Sequence, residues 1–278
     1  MGRAEAAADP IYRIEAGFAF PTETLTVTAA EQRRLHGWCD IPATRYGGSV
    51  DPTFLARRPI LLNTASMTAA RPEVGKVHIV HHLVQHRPVA LDTPVTMTGR
   101  FTDVADAPRG WIAHSVWAFR TADGASVLTV EPQVMMIDPE RARQPGEGGK
   151  AAGERAEDDA GFERLTHKQC TPESTCGYCE GTKNLIHIDP AHAKGFGFRA
   201  PIIAGNQTVN FLLEALALDR APETFDVTIR FRRPVFWDDA LDIEGKRRAD
   251  GTLAAVRAVN GEGKTVADCR IDGVTYAG

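Results

Sequence analysis

The chain has no long apolar run, no concentration of basic charge and no paired set of cysteines, and each shortage removes a class of function. None of its apolar stretches approaches the roughly 18–20 residues that span a bilayer, so an integral membrane protein is not expected. The start, MGRAEAAADPIYRIEAG, lacks an apolar core flanked by basic residues, which argues against a secretory signal. With 32 Lys and Arg against 36 Asp and Glu, the net charge of −4 argues against nucleic acid as the main partner. The five cysteines, Cys39, Cys170, Cys176, Cys179 and Cys269, are odd in number and unevenly placed, so a disulfide framework is not expected and a reducing cytoplasm is. There is no Gly-rich phosphate loop after a strand, so neither nucleotide hydrolysis nor a dinucleotide cofactor is indicated. What remains is an ordinary globular composition, 43% hydrophobic and 24% charged over 278 residues, enough for one large domain or two small ones.

The stretch 139–161, PERARQPGEGGKAAGERAEDDAG, contains no large apolar residue and has nothing to bury. It reads as a solvated linker between a unit spanning 1–138 and a unit spanning 162–278. The alternative is a long surface loop inside one domain.

The two units repeat each other. His86–Gly99 (HRPVALDTPVTMTG) and Arg232–Gly245 (RRPVFWDDALDIEG) share Arg, Pro, Val, Asp and Gly in register at an offset of 146 residues. Each is followed by a strand-like run, a turn and a second strand-like run: WIAHSVWAFR, TADGAS and VLTVEPQVMMID, then LAAVRAV, NGEGK and TVADCRIDGV. Asp-Gly and Asn-Gly favour hairpin turns because these residues reach positive φ at low cost. Upstream, SVDPTFLARRPI and HIDPAHAKGFGFRAPI both place Asp-Pro, a short helical segment and Pro-Ile.

Two helices stand out. Thr28–Trp38 begins with Thr28 and has Glu31 three residues on, the capping-box pattern. Asn206–Leu218 is apolar nearly all round and is expected to be buried. Each unit then consists of a few helices and several long antiparallel strands. The fold class this implies is α+β, a curved antiparallel sheet wrapped around an apolar helix, twice.

Asn184–Gly205, NLIHIDPAHAKGFGFRAPIIAG, resembles the hydratase motif of the MaoC-like, or (R)-specific enoyl-CoA hydratase, family of hotdog folds. That motif runs Asp-x-Asn-Pro-x-His-x-Asp-Pro, then Gly-Phe, Pro-Ile and His-Gly. FRRPVFWDDALDIEG is similar to a downstream strand of the family. The resemblance is good over 165–274 and extends to 25–138 as a degenerate copy, as in double-hotdog members packed about a pseudo-twofold axis. It implies an acyl-thioester hydratase or dehydratase acting at the 2,3 position of an enoyl or 3-hydroxyacyl thioester. No cofactor is implied. The partner would be an acyl-CoA or acyl-carrier thioester, and a homodimer is compatible with it.

Carried over by position, the resemblance gives His187 as the catalytic imidazole, Asn184 as its neighbour and the Gly205 N–H as the oxyanion donor. The family's catalytic Asp position is Thr182, whose hydroxyl orients water but is no base at neutral pH. The His of His-Gly is Ala204, and the Pro after Asn is Leu185. In the first unit the matching positions are Thr44 and Ser49, before Asp51-Pro52, with neither imidazole nor carboxylate. That unit is expected to shape the acyl pocket and do no chemistry.

Other readings stay open on the sequence. The chain could be a hotdog thioesterase, or an acyl-CoA binding subunit that has lost its base. Arg230, Arg232 and Arg233 at a strand end fit either an exposed polar face or contact with coenzyme A phosphates. Asp189 reads as a helix cap rather than a catalyst, and Glu180 as a surface residue rather than a substitute acid. Cys170, Cys176, Cys179, His167 and His187 have some zinc-ligand character, but only one Cys pair has the right spacing, and no metal site is expected. Of the histidines in VHIVHHLVQHR, strand alternation places 78, 82 and 86 on one face and 81 on the other.

Overall fold

The computed structural model describes residues 13–72, 74–143, 160–181 and 184–277. Most of the expected linker therefore lies outside the described residues. Its first residues form a short helix, α3 (Pro139–Arg143), whose Arg141 pairs with Asp106 at 2.7 Å.

Helix α1 (Ala29–Trp38) starts where the sequence places it. Thr28 Oγ1 accepts from the Glu31 N–H at 3.2 Å, and the Glu31 carboxylate accepts from the Thr28 N–H at 3.0 Å. The strand-like runs form β1 (Glu23–Leu25), β2 (Gly75–Gln85), β3 (Val95–Ala107), β4 (Gly110–Arg120) and β5 (Ser126–Ile137). They are followed by β6 (Phe162–Gln169), β7 (Pro222–Phe231), β8 (Ala240–Arg247), β9 (Leu253–Asn260) and β10 (Thr265–Tyr276). Both expected hairpins close, β4 to β5 through Gly124 at φ +82° and β9 to β10 through Gly263 at φ +72°.

All ten strands form one antiparallel sheet in the order β1-β3-β4-β5-β2-β7-β10-β9-β8-β6. Outward from the central pair, β2-β5-β4-β3-β1 mirrors β7-β10-β9-β8-β6, the strand order of a duplicated unit. The repeat has a packing reason as well. A Cβ on Gly99 would come within 2.1 Å of the Trp117 ring, and one on Gly245 within 2.5 Å of Leu165, so each register-matched glycine lies beneath a large side chain.

The units join where β2 pairs with β7, from Val80 opposite Arg230 to Gln85 opposite Phe225. Leu83 and Val227 face each other there with no exposed surface. Two helices cover one face of the sheet. Helix α2 (Pro52–Ala70) packs on β2 and β5, α6 (Gly205–Glu214) packs on β9 and β10, and the two helices touch. The apolar segment expected at 206–218 is α6 plus a tighter helical turn, Ala215–Ala217.

The repeated Asp-Pro segments differ more than their sequences suggest. In the first unit the helix runs from Asp51, its cap, straight through Pro59. In the second, α5 (Pro190–Gly195) stops, an irregular stretch carries Gly197 at φ +82°, and α6 starts afresh at Gly205. The extra Gly-Phe residues at 195–198 allow this break.

Helix α6 is anchored at its far end by a buried cluster drawn from both units. Lys168 Nζ lies 2.6 Å from Glu214 Oε2, with side chains 3% and 2% exposed. Lys168 also donates to the backbone carbonyls of Cys39 and Asp40, and Arg45 donates to the other Glu214 oxygen at 3.3 Å. Removing one partner leaves a buried charge without its counter-ion. Glu214→Ala is expected to lower unfolding free energy in urea by about 3–5 kcal/mol. A loss below about 1 kcal/mol, the scale of an exposed pair, would contradict this role.

Candidate active site

The site is assembled from the segment that interrupts the second unit's helix. Asp189 caps α5, its Oδ1 accepting from the N–H groups of Ala191 (2.8 Å) and His192 (3.1 Å). Its place is therefore structural. The turn before it, Leu185–His187, presents the His187 ring. His187 Nδ1 donates to the Ile202 carbonyl at 2.8 Å, since a carbonyl only accepts. That fixes the neutral tautomer and leaves Nε2 with the basic lone pair. The Asn184 Nδ2 lies 3.1 Å from this nitrogen. Burial pulls the His187 pKa below the ordinary imidazole value, partly offset by the bond to Ile202.

Gly205 opens α6, and the cap residue, Ala204, has no side-chain oxygen to give its first turn. The leading N–H groups and the helix dipole at that end favour negative charge. The first unit has no equivalent. The residue matching Gly205 in the repeated Asp-Pro segments is Asn63, inside α2, where backbone N–H groups are consumed by the helix.

A cavity of about 220 Å³ brings Asn184, His187 and Gly205 together. Thr182 lies outside the described residues. Arg232 and Arg233 line the cavity, Arg232 paired with Asp268 and Arg233 donating to the Thr265 carbonyl at 2.6 Å. Arg230 does not reach it and is exposed on β7. Glu180 is exposed as well, 3.3 Å from Arg34. Of the zinc candidates, Cys170 and Cys179 are buried and Cys176 is exposed; no cluster of three or more metal-ligating side chains occurs among the described residues.

The sequence reading gave the first unit a share in the pocket without naming its residues. Arg57 of α2 and His78 of β2 line the same cavity, as do Tyr178 and Asn206. The alternation expected for the histidines fails at 79. The pairing of β2 with β5 slips between His78 and Val80, a bulge that adds one residue and turns the strand over. His78 and His81 consequently share the inner face, ring centroids 4.7 Å apart, while His82 bonds Asp226 at 2.8 Å and His86 is exposed. A bulge leaves no mark in hydrophobic periodicity, so the signal was absent.

Burial lowers the pKa of His78, to about 3, of His81 and of His187. The unfolded chain, with ordinary imidazoles near 6.5, then binds more protons than the native state as pH falls. The stability these neutral rings support is complete above pH of about 6.5 and declines below it. Urea unfolding at about pH 7.5 and pH 5 should show lower stability at pH 5, and His81→Leu should reduce the difference. A wild type with equal stability at both values would contradict burial of neutral imidazoles.

No family model matches the chain. It is 23% identical over 222 residues to 3-hydroxyacyl-thioester dehydratase X of Mycobacterium tuberculosis, covering 77% of each chain. The crystal structure of that protein, HtdX, superposes with a TM-score of 0.69 at 21% identity, over 91% of this chain and 99% of the other. A MaoC-like dehydratase structure reaches a TM-score of 0.73 at 16% identity, over 95% and 99%. An oleoyl thioesterase (putative) from Lactobacillus plantarum gives 0.55 at 14%, over 94% and 98%. The mirrored strand order, the helices laid on one face and these superpositions agree: the resemblance read from the sequence holds, and the fold is the double hotdog of the MaoC-like dehydratases.

Proposed function

We propose that the protein is an acyl-thioester hydratase or dehydratase, adding or removing water at the 2,3 position of an enoyl or 3-hydroxyacyl thioester. The observation that carries this reading is the meeting, in one cavity, of an oriented neutral imidazole and an open helix start. Residues 162–278 form the active unit, 1–138 the degenerate one, and 139–161 their linker.

The chemistry needs two things of the protein. The thioester carbonyl must be polarised, and a proton must leave water as its oxygen attacks the β-carbon. With the carbonyl oxygen on the Gly205 N–H, negative charge develops where the helix dipole favours it. Without substrate, Asn184 Nδ2 donates to His187 Nε2; when water enters between them, Asn184, with Thr182 in the segment beside it, orients that water, and the freed Nε2 takes its proton. The imidazolium then returns that proton to the α-carbon, so one residue balances the addition in both directions. The lowered pKa suits the first step, because the ring is neutral at pH 7.

Arg57 from one unit and Arg232 and Arg233 from the other give the cavity three guanidinium groups. Guanidinium geometry matches phosphate, and on this reading the carrier is a phosphorylated pantetheine thioester, as coenzyme A or on a carrier protein.

The likeness to thioesterase structures supports a second reading, hydrolysis of the same bond class. Crotonyl-CoA separates the two. Loss of enoyl absorbance without thiol release is the expected result; thiol release would mean a thioesterase, and binding without either would mean a non-catalytic subunit. His187→Ala should lower turnover by about 100-fold or more while leaving the fold intact. Unchanged turnover in that variant would rule out His187 as the base.

A further inference from the structure

We propose that His78, supplied by the first unit, is a second hydrogen-bond donor to the substrate's carbonyl oxygen, acting beside the Gly205 N–H. The proposal rests on the hydratase reading and assigns part of the site to the unit that otherwise does no chemistry.

The bulge at Ile79 turns His78 to the inner face of β2, where it lines the cavity that holds His187. Its ring lies against the start of α6: a Cβ added to Gly205 would be 3.1 Å from His78 Nδ1 and 3.3 Å from His78 Cβ. Glycine at 205 thus makes room for the imidazole as well as for a ligand at the helix end.

Both His78 ring nitrogens are buried, and neither closes a hydrogen bond of ordinary geometry, although the Val80 backbone is near enough to oppose the effect of burial. The ring's neighbours are Phe231 at 4.6 Å and the His81 ring at 4.7 Å, which offer no counter-charge. Asn206, the second residue of α6 and only 3% exposed, has both side-chain amide atoms unpartnered and lines the same cavity. Buried polar atoms without partners are costly and rare, and two such side chains beside one open helix start point to a ligand acceptor.

Chemistry then selects the role. In these surroundings the imidazole is neutral, so it carries one N–H and makes a poor base. A neutral imidazole N–H can polarise a carbonyl that gains charge in the transition state. The cap residue, Ala204, offers no polar side chain at this helix end, and His78 brings an imidazole to it from another strand.

The test uses the full chain, crotonyl-CoA for turnover and a 4-dimethylaminocinnamoyl thioester of coenzyme A as a chromophore. Polarisation of the probe's carbonyl shifts its absorbance to the red on binding, without turnover. His78→Phe should lower kcat by about 100-fold with KM little changed, the scale of a lost oxyanion donor. It should also shrink the red shift, which His187→Ala should leave in place. His78→Gln keeps an N–H and should recover part of both, and His78→Leu serves if the phenyl ring cannot be seated. A folded His78→Phe or His78→Leu with turnover within about three-fold of wild type, or with the full red shift, overturns the proposal. Equal losses in the Phe and Gln variants also overturn it. If the wild type shifts the probe but never hydrates an enoyl thioester, the hydratase reading fails, while loss of the shift in His78→Phe still identifies the donor.

Discussion

Strands β2 and β7 each need a partner for their backbone groups, and they find it in one another. An unpaired edge in either unit would present a row of N–H and C=O groups to solvent or to another chain. The antiparallel ladder from Val80–Arg230 to Gln85–Phe225 removes both edges and buries Leu83 against Val227. It also makes one cavity from two units. His78 and Phe231, on opposite sides of this ladder, bring their rings within 4.6 Å, and β2 delivers its histidine to a helix end in the other half.

Given that seam, the chemistry depends on how the two copies diverged. In the second, the break between α5 and α6 creates a helix start with an alanine cap, open to a ligand. In the first, α2 passes through Pro59 without a break, and the polar groups around its beginning are spent on one another. Asp51 accepts from the Thr53 N–H at 2.9 Å and lies 2.9 Å from His36, with both side chains almost wholly buried. Thr53 in turn bonds Asn210 of α6, which donates to the Tyr178 hydroxyl in the cavity wall. The first unit thus braces the cavity wall through Asp51 and Thr53, while the side chains left without partners beside the α6 start, His78 and Asn206, come one from each unit.

Features governed by local chemistry were legible in the sequence. The Thr28–Glu31 capping box, the Asp123-Gly124 turn and the repeated Arg-Pro-Val with its distant glycine each state a local rule that the fold obeys, whereas the second hairpin closes where expected but takes its positive φ at Gly263 and not in Asn260-Gly261. Asn-x-x-His-x-Asp-Pro placed Asn184 beside His187 and Asp189 at a cap. What escaped depends on tertiary context. Pro59 reads as a helix boundary and sits inside α2. The bulge at Ile79 reverses the face on which His78 lies, and alternation cannot foresee it. Lys168 and Glu214 form a buried pair that no local pattern announces, because first-unit groups at Cys39, Asp40 and Arg45 close over it.

The proposed chemistry requires a single thioester to lie with its carbonyl on the α6 start and its β-carbon toward His187. A crystal structure with a bound 3-hydroxybutyryl thioester measures this directly. The thioester oxygen should lie within hydrogen-bonding distance of the Gly205 N–H, and the 3-hydroxyl should face His187 Nε2. A carbonyl turned away from α6, or an acyl chain outside the cavity shared by the two units, would contradict it.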